Sequence, residues 1–534
     1  MTSVPHTPVL VVGGGLVGLS TALLLEYHGV PYVLVERRAA ASPLPRSRGL
    51  HTHTGEIYRQ LAVTERVDAA AASALRAGRF GGAWTGENLS VAQPLDIDMH
   101  SMGAGVPSPA RFVFLPQVLL EPVLAETARE RGGDLRFGVE LTDFDPGPDG
   151  VLATLRDTAG TETRLRADYL IAADGANSPI RRALGVGGWE LPPTHHYLNV
   201  FARVDLTGVL NGRSFSQCEI DGPVRGLVLS KNNTDEWSFH LEYDPAVSTP
   251  ADYPDDRCAD LIRAMIGRPD LDVRVLARAA WDTGTFVADD YRCDRIFLTG
   301  DAAHRHAPWG GYGGNTGVAD AHNLVWKLAA VLSGAASPDL LDTYAPERRP
   351  RALVAIEQSR LGTDFRTRYG LPTPDNAADL ARRLDLDTVM SRYRYAAPDA
   401  EPTPLHVDDL SGRTGTRVPH LWLDPEETLS TLDLCGPGFA VLVAGTGTPW
   451  RDAASRAAHA TGADIEVHYL PEQQWQEATG LPAGGALLIR PDQHVASRLG
   501  TADPDALTRA LRAALGTAIP ATATLGSDSA AVLG

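Results

Sequence analysis

Residues 8–18 read PVLVVGGGLVG, and this stretch decides the fold. A short β-branched apolar run ends there in Gly13-x-Gly15-x-x-Gly18. A helical pattern continues through His28, and a second apolar run, VPYVLVE, ends at Glu36. Strand, glycine turn, helix, strand and terminal acid make a complete βαβ unit of the dinucleotide-binding kind. Gly15 lets backbone approach a pyrophosphate seated at the positive N-terminus of the helix. Glu36 is placed to accept hydrogen bonds from an adenosine ribose, and its charge rejects a 2′-phosphate there. The unit alone does not separate FAD from NAD.

Two later stretches repeat the logic. Residues 167–182, ADYLIAADGANSPIRR, give a buried strand ending in Asp174-Gly175, with Ser178 and Arg181 at fixed offsets. Residues 295–301, RIFLTGD, give a third strand ending in Gly300-Asp301, and GDAAHRHAPWGGYGGNTG runs on from 300. Asp301 then stands at the end of a parallel-sheet strand, where ligands of α/β folds sit. Gly311, Gly313 and Gly314 would let amide groups approach a flat polar ligand without side-chain obstruction. Asn315 is expected to open a helix, since Val318, Leu324, Val325, Leu328 and Leu332 recur at helical spacing.

The set GxGxxG, DGxxSxxR and GDAAHxxxPxGGxGxN resembles the class A flavoprotein monooxygenases, the family of para-hydroxybenzoate hydroxylase, over roughly residues 8–350. The resemblance implies FAD as cofactor, with Asp301 on the ribityl hydroxyls and the 310–315 cradle under the isoalloxazine ring. It places Arg46, in PRSRG, beside the flavin as the candidate catalytic residue, and Gln117 near the ribityl or phosphate region. Leu16, Val17, Arg37, Leu141, Asp174, Gly300 and Pro308 complete the implied FAD contacts. Where the family commonly has a second arginine, this chain has His53. His304 and His306 are read as packing and hydrogen-bonding groups, and Trp309 as a wall of the flavin or substrate cavity.

Composition narrows the partners. The formal charge of −18 opposes binding to nucleic acid or an anionic membrane. Lys231 and Lys327 are the only lysines among 48 basic residues. Four scattered cysteines form no CxxC pair, so neither a metal site nor a disulfide framework is indicated. No long apolar span and no signal-like N-terminus appear, which makes a cytoplasmic location the default.

The expected fold is α/β and multidomain. A Rossmann-like FAD-binding domain (1–180 and 286–395, the latter with a basic, solvated helical connector) receives an inserted antiparallel-sheet substrate domain (181–285). There SFSQCEI, GLVLSKN and EWSFHLEYD alternate apolar and polar residues. Trp237 and Phe239 share one face of that sheet and are candidate substrate contacts beside Trp309, with ordinary core as the competing reading. Residues 396–516 resemble the thioredoxin-like appendage of the larger members, those that oxygenate aromatic polyketides. Its single cysteine, Cys435, excludes dithiol chemistry, and its role is structural, with monomer and homodimer both open. The tail 517–534 is expected to be mobile.

The chemistry implied by the resemblance is aromatic hydroxylation. NAD(P)H, bound only transiently, reduces FAD. O2 then forms a flavin C4a-(hydro)peroxide, which hydroxylates a polycyclic aromatic substrate. A flavin halogenase would need a lysine between flavin and substrate and a WxWxIP stretch; neither is present. Baeyer–Villiger or decarboxylative oxygenation and a non-catalytic FAD-binding protein remain as alternatives.

Overall fold

The computed structural model describes residues 4–40, 48–77, 82–95, 105–395, 407, 409–447 and 449–516. Arg46 and the tail 517–534 lie outside the described residues. β1 (His6–Val12) and β2 (Tyr32–Glu36) flank α1 (Leu16–Tyr27), as the glycine fingerprint requires. They are neighbours in a parallel sheet ordered Ile296–Leu298, Glu162–Ala172, β1, β2, Asp134–Phe137. Both faces of this sheet are covered, so its strands read as unbroken apolar runs. Leu10, Val11, Leu170, Ile171 and Phe297 have no solvent contact.

The helix expected to begin at Asn315 instead runs Tyr312–Leu332, so Asn315 lies in its first turns. The connector is also less solvated than its charge implies. It is built on the helix Tyr344–Leu361, and Arg348 and Arg351 are buried. Each finds an internal partner that the sequence does not display.

The second sheet has seven strands, ordered Arg274–Asp282, His196–Arg203, Glu236–Tyr243, Arg225–Ser230, Gln217–Asp221, Ala83–Gly86, Gln93–Pro94. The last two come from within the first FAD-binding segment, and Ala83–Gly86 pairs in parallel with Gln217–Asp221. The antiparallel sheet expected within 181–285 therefore draws two strands from outside that span. Strands this short carry no alternation to read; only the partner strand makes them strands.

In the C-terminal unit, Phe439–Ala444 pairs parallel to Ile465–Leu470 and antiparallel to Ala486–Ile489, which pairs with Val495–Leu499. Helices Pro449–Thr461, Glu472–Thr479 and Pro504–Ala514 complete the thioredoxin-like layout. Trp326 of the long helix shares a buried core with Phe439 and Val441, so this unit docks directly on the FAD-binding domain. Among the described residues, no helix is long and apolar enough to cross a membrane.

Candidate active site

The N-terminal ends of two helices lie side by side at the predicted cofactor site. A Cβ placed on Gly317 would fall 2.5 Å from Val17 Cγ2 and 2.9 Å from Gly300 Cα, and one on Gly314 2.8 Å from Leu16 Cδ2. The first turns of α1 and of Tyr312–Leu332 are thus packed side by side against the Gly300 turn. Their N-cap residues are Gly15 and Gly311, and neither supplies a side-chain cap. First-turn N–H groups have no acceptor inside a helix, and both ends carry the positive pole of the helix dipole. Two positive, glycine-capped ends side by side suit a pyrophosphate and the electron-rich edge of a flavin. The space is also present: a Cβ on Gly15 would come no nearer than 3.5 Å to any group, and one on Gly313 no nearer than 3.6 Å, there to Asp301 Oδ1 and His306. These residues fit FAD.

Around this cradle the acids are held firmly. Glu36 Oε2 accepts from Gly14 N at 2.7 Å, while Oε1 accepts from the backbone and guanidinium of Arg38, both at 2.9 Å. Arg37, next to it, is exposed. Gln117 does not stand alone: its Nε2 donates to Glu121 Oε1 at 2.6 Å, and the same oxygen accepts from Leu16 N at 3.0 Å. Glu121 escaped sequence reading, although its position one helical turn beyond Gln117 was a usable signal. Leu141 is half-buried in a hairpin strand opposite Leu155 and packs on the central core.

The DGxxSxxR motif acts as a brace. Ser178 caps the short helix Pro179–Ala183 by accepting from Arg181 N at 2.9 Å. Arg181 donates to Ala302 O at 2.7 Å and Ala176 O at 2.9 Å and lies over the Phe286 ring. It ties the Asp174 turn to the Gly300-Asp301 turn. Asp174 Oδ2 accepts from Ile180 N at 3.3 Å, while its buried Oδ1 has no protein partner. Burial pushes the Asp174 carboxyl above its ordinary range.

Asn315 and Asp320 organise the cradle from behind. Asn315 Oδ1 accepts from His51 N at 2.9 Å and Thr54 Oγ1 at 2.7 Å, and its Nδ2 donates to Gly49 O and Gly311 O. Its side chain is spent on protein, so it shapes the site rather than reaching out of it. Asp320 Oδ2 accepts from Gly300 N at 3.2 Å and bonds His304 Nε2 at 2.6 Å, and its Oδ1 accepts from Arg348 Nε at 2.8 Å. Burial pushes the Asp320 carboxyl up, but His304 and Arg348 outweigh it and hold it below the ordinary range. Arg348 continues to the Tyr395 hydroxyl at 3.1 Å, and the Tyr395 ring stacks on His494 of the C-terminal unit at 4.4 Å. His304 is therefore the hydrogen-bonding group that was expected. His306 packs edge-on against it, and burial pushes its pKa well below the ordinary value.

The substrate face needs a correction. Trp237 and Phe239 share one face, as the alternation predicts, but that face is closed by the helix Asp255–Ile266 through Cys258, Ile262 and Met265. Both rings are fully buried there, and the Trp237 indole donates to Val204 O at 3.2 Å. They are core. The opposite face carries Tyr197, Asn199, Leu227, Ser238, His240 and Trp281, and it meets the cradle loop at Ala307 and Trp309. Trp309, immediately after Pro308, packs edge-on to Trp281 at 6.3 Å, with the Arg368 guanidinium 3.7 Å over its ring. Arg368 in turn pairs with Glu219 at 3.2 Å. Trp309 stands as a wall between the flavin cradle and the sheet.

Two family models match the chain: an FAD-binding domain over residues 6–359 and the C-terminal domain of aromatic-ring hydroxylases over residues 411–518. The chain is 37% identical over 536 residues to tetracenomycin B2 monooxygenase-dioxygenase of Streptomyces olivaceus, covering 94% of this chain and 97% of that protein. It is 34% identical over 521 residues to an aklavinone 12-hydroxylase of Streptomyces purpurascens, covering 93% and 96% respectively. The crystal structure of aklavinone-11 hydroxylase in a ternary complex with FAD and aklavinone matches at a TM-score of 0.86 and 32% identity, covering 97% of this chain and 100% of that one.

Proposed function

This chain belongs to the FAD-dependent aromatic-ring hydroxylases, and on that footing we propose that its substrate is a polycyclic phenol of the aromatic-polyketide kind. The observation that carries this reading is the layer between the cradle loop and the seven-stranded sheet, where Trp309, Trp281 and Tyr197 pack into one cluster of aromatic rings. The likeness along nearly the whole chain to proteins named for tetracenomycin and aklavinone supports it.

Bound FAD would supply the redox chemistry, carrying electrons from NAD(P)H to O2, of which one oxygen atom goes to an electron-rich ring carbon and the other leaves as water. The protein binds, orients and keeps water out. Val17 and Gly18 offer first-turn N–H groups to the pyrophosphate, and Asp301 takes the ribityl chain. The first turn of Tyr312–Leu332 would hold the pyrimidine edge of the flavin, where its positive pole would stabilise negative charge. Trp309 and the facing sheet hold the substrate ring in a dry layer, which fixes the approach of the reacting carbon and protects the oxygenating species from water. The resemblance that implies Arg46 beside the flavin supports a role in which its planar guanidinium would steady charge on the substrate or the oxygen.

The test is NADPH oxidation by the FAD-loaded enzyme over a panel of hydroxylated anthraquinones and naphthacenes that includes aklavinone, with product masses. Stimulated consumption with a product one oxygen heavier is expected. Consumption that no polycyclic phenol stimulates would defeat the substrate reading.

A further inference from the structure

The imidazole of His240 is buried on the sheet face that meets the cradle loop, and half of its hydrogen-bonding capacity is unused. The Trp281 indole N–H points at His240 Nδ1 at 2.9 Å. An indole nitrogen can only donate, so Nδ1 accepts and the ring proton sits on Nε2. That Nε2 is buried and has no protein partner. An unmade hydrogen bond at a buried donor is costly, and native proteins retain few of them. Nδ1 is the nitrogen next to Cβ and Nε2 the distal one. With Nδ1 engaged by Trp281, the free Nε2–H belongs to the sheet face that meets the cradle loop at Ala307 and Trp309.

The surroundings point to an anionic or strongly polarised oxygen as the missing partner. Burial pushes His240 down to about 3, with the Arg48 charge adding to the effect, so the ring stays neutral and remains a donor across the working pH range. Arg48 is half-buried and anchored through Nη1 to Ser216 O at 2.8 Å and Ser230 O at 2.9 Å. Burial lowers it only to about 10, so it remains cationic. A neutral donor beside a fixed cation, walled by Leu227, Trp281 and Trp309, suits a flat aromatic ring that carries one ionised oxygen.

We propose that His240 Nε2–H is the hydrogen-bond donor that receives the ionised phenolic oxygen of the aromatic substrate, with Arg48 supplying the neighbouring positive charge. This rests on the substrate reading above. The phenol gives its proton to solvent, and the oxygen left behind accepts from Nε2. The charge held there raises electron density at the ring carbons ortho and para to it, which are the carbons that accept oxygen.

The side-chain amide of asparagine overlays Nδ1 of histidine, and that of glutamine overlays Nε2. His240→Asn therefore keeps a partner for Trp281 and deletes the distal donor, while His240→Gln keeps the distal donor. The probe is aklavinone bound to the FAD-loaded enzyme, read by its visible spectrum, which reports ionisation of the phenol. The wild type is expected to lower the pKa of the bound phenol relative to free ligand. His240→Asn should retain FAD, bind aklavinone about tenfold more weakly and return that pKa toward the free value. His240→Gln should recover most of both. An Asn variant that binds and ionises aklavinone like the wild type overturns the proposal and leaves His240 as a support for Trp281. Should the Asn variant not fold, the wild-type imidazole ¹⁵N spectrum decides. A shift of the Nε2–H signal on adding aklavinone supports the proposal, and an unmoved signal overturns it. Failure of the wild type to bind any phenol of the panel, aklavinone included, defeats the substrate reading and this inference together, whereas wild-type binding with an indifferent Asn variant defeats the inference alone.

Discussion

Arg417 of the C-terminal unit is ion-paired with Glu56 of α2 (Thr52–Gln60), both side chains almost wholly buried, with Arg417 Nε donating to Glu56 Oε2 at 2.7 Å. A second bond joins Arg417 Nη2 to Glu56 Oε1, and His53 Nδ1 also meets this carboxylate at 3.3 Å. α2 begins one residue after His51, whose backbone N–H is held by Asn315. The C-terminal unit thus grips a helix that leads directly into the cofactor cradle.

Breaking that pair should be expensive. Arg417→Met leaves the buried Glu56 carboxylate without its cation, with only His53 and Ser108 still bonded to it, which costs about 3–5 kcal/mol. Burial alone would raise the Glu56 carboxyl, but the Arg417 charge and the bonds from His53 and Arg417 hold it down at about 2. An unfolded glutamate titrates near 4.3, about two units higher. The stability from this group is therefore fully present above about pH 4.3 and is lost as pH falls through about 2. Thermal unfolding of wild type and Arg417→Met across pH 2–7 should show the difference shrinking on the acid side. A difference independent of pH would show that Glu56 is not held ionised by Arg417.

The same substitution at two glycines of one motif should have opposite consequences. Gly15 has ordinary extended backbone (φ −83°), and a Cβ there meets nothing of the protein closer than 3.5 Å. Gly15→Ala should fold normally and yet bind FAD tenfold or more weakly, because the methyl occupies ligand space. A Cβ on Gly18 would fall 1.9 Å from Gly13 O, a backbone atom that cannot swing away. Gly18→Ala should destabilise the apoprotein by about 1–3 kcal/mol, as overpacking does. Apoprotein melting and FAD titration by flavin fluorescence separate the two effects.

Asp320 links the Gly300 turn to Arg348 and onward to the C-terminal unit. Asp320→Asn removes the charge that compensates buried Arg348 and should cost about 3–5 kcal/mol. It should also weaken FAD about tenfold, since Gly300 N and His304 lose their anionic acceptor. FAD affinity unchanged in a destabilised variant would confine the network to scaffolding.

Arg46→Lys should leave FAD content nearly intact and lower the product formed per NADPH consumed, the balance appearing as hydrogen peroxide. Lysine keeps the charge but not the planar fork that can hold an oxygen in the ring plane. Loss of FAD would instead assign Arg46 to cofactor binding, and full coupling would make it a bystander.

The cofactor cradle was legible in the sequence because its determinants are local. A glycine fingerprint, a strand-ending acid and a helix start depend on backbone conformation over a few neighbouring residues, and each leaves a fixed spacing. Glu121 was partly legible, one turn beyond Gln117. Asp320 with Arg348, and Glu56 with Arg417, were not, because their partners lie 28 and 361 residues apart and nothing in a one-dimensional pattern pairs them.

The seven-stranded sheet shows the division most clearly. Alternation along EWSFHLEY placed Trp237 and Phe239 on one face and Ser238 and His240 on the other, and the register bears that out. Hydropathy then favours the apolar face as the interesting one. Both faces are in fact covered, one by the helix Asp255–Ile266 and the other by the FAD-binding domain. Only tertiary packing decides which face closes into the domain's own core and which packs against the cradle loop. The amino-acid sequence by itself determined the FAD fold, its motifs and the strand periodicities, all set by local backbone physics. The sheet face that meets the cradle loop and the clasp of the C-terminal unit were decided by long-range packing, because water exclusion records that a side chain is covered and not what covers it.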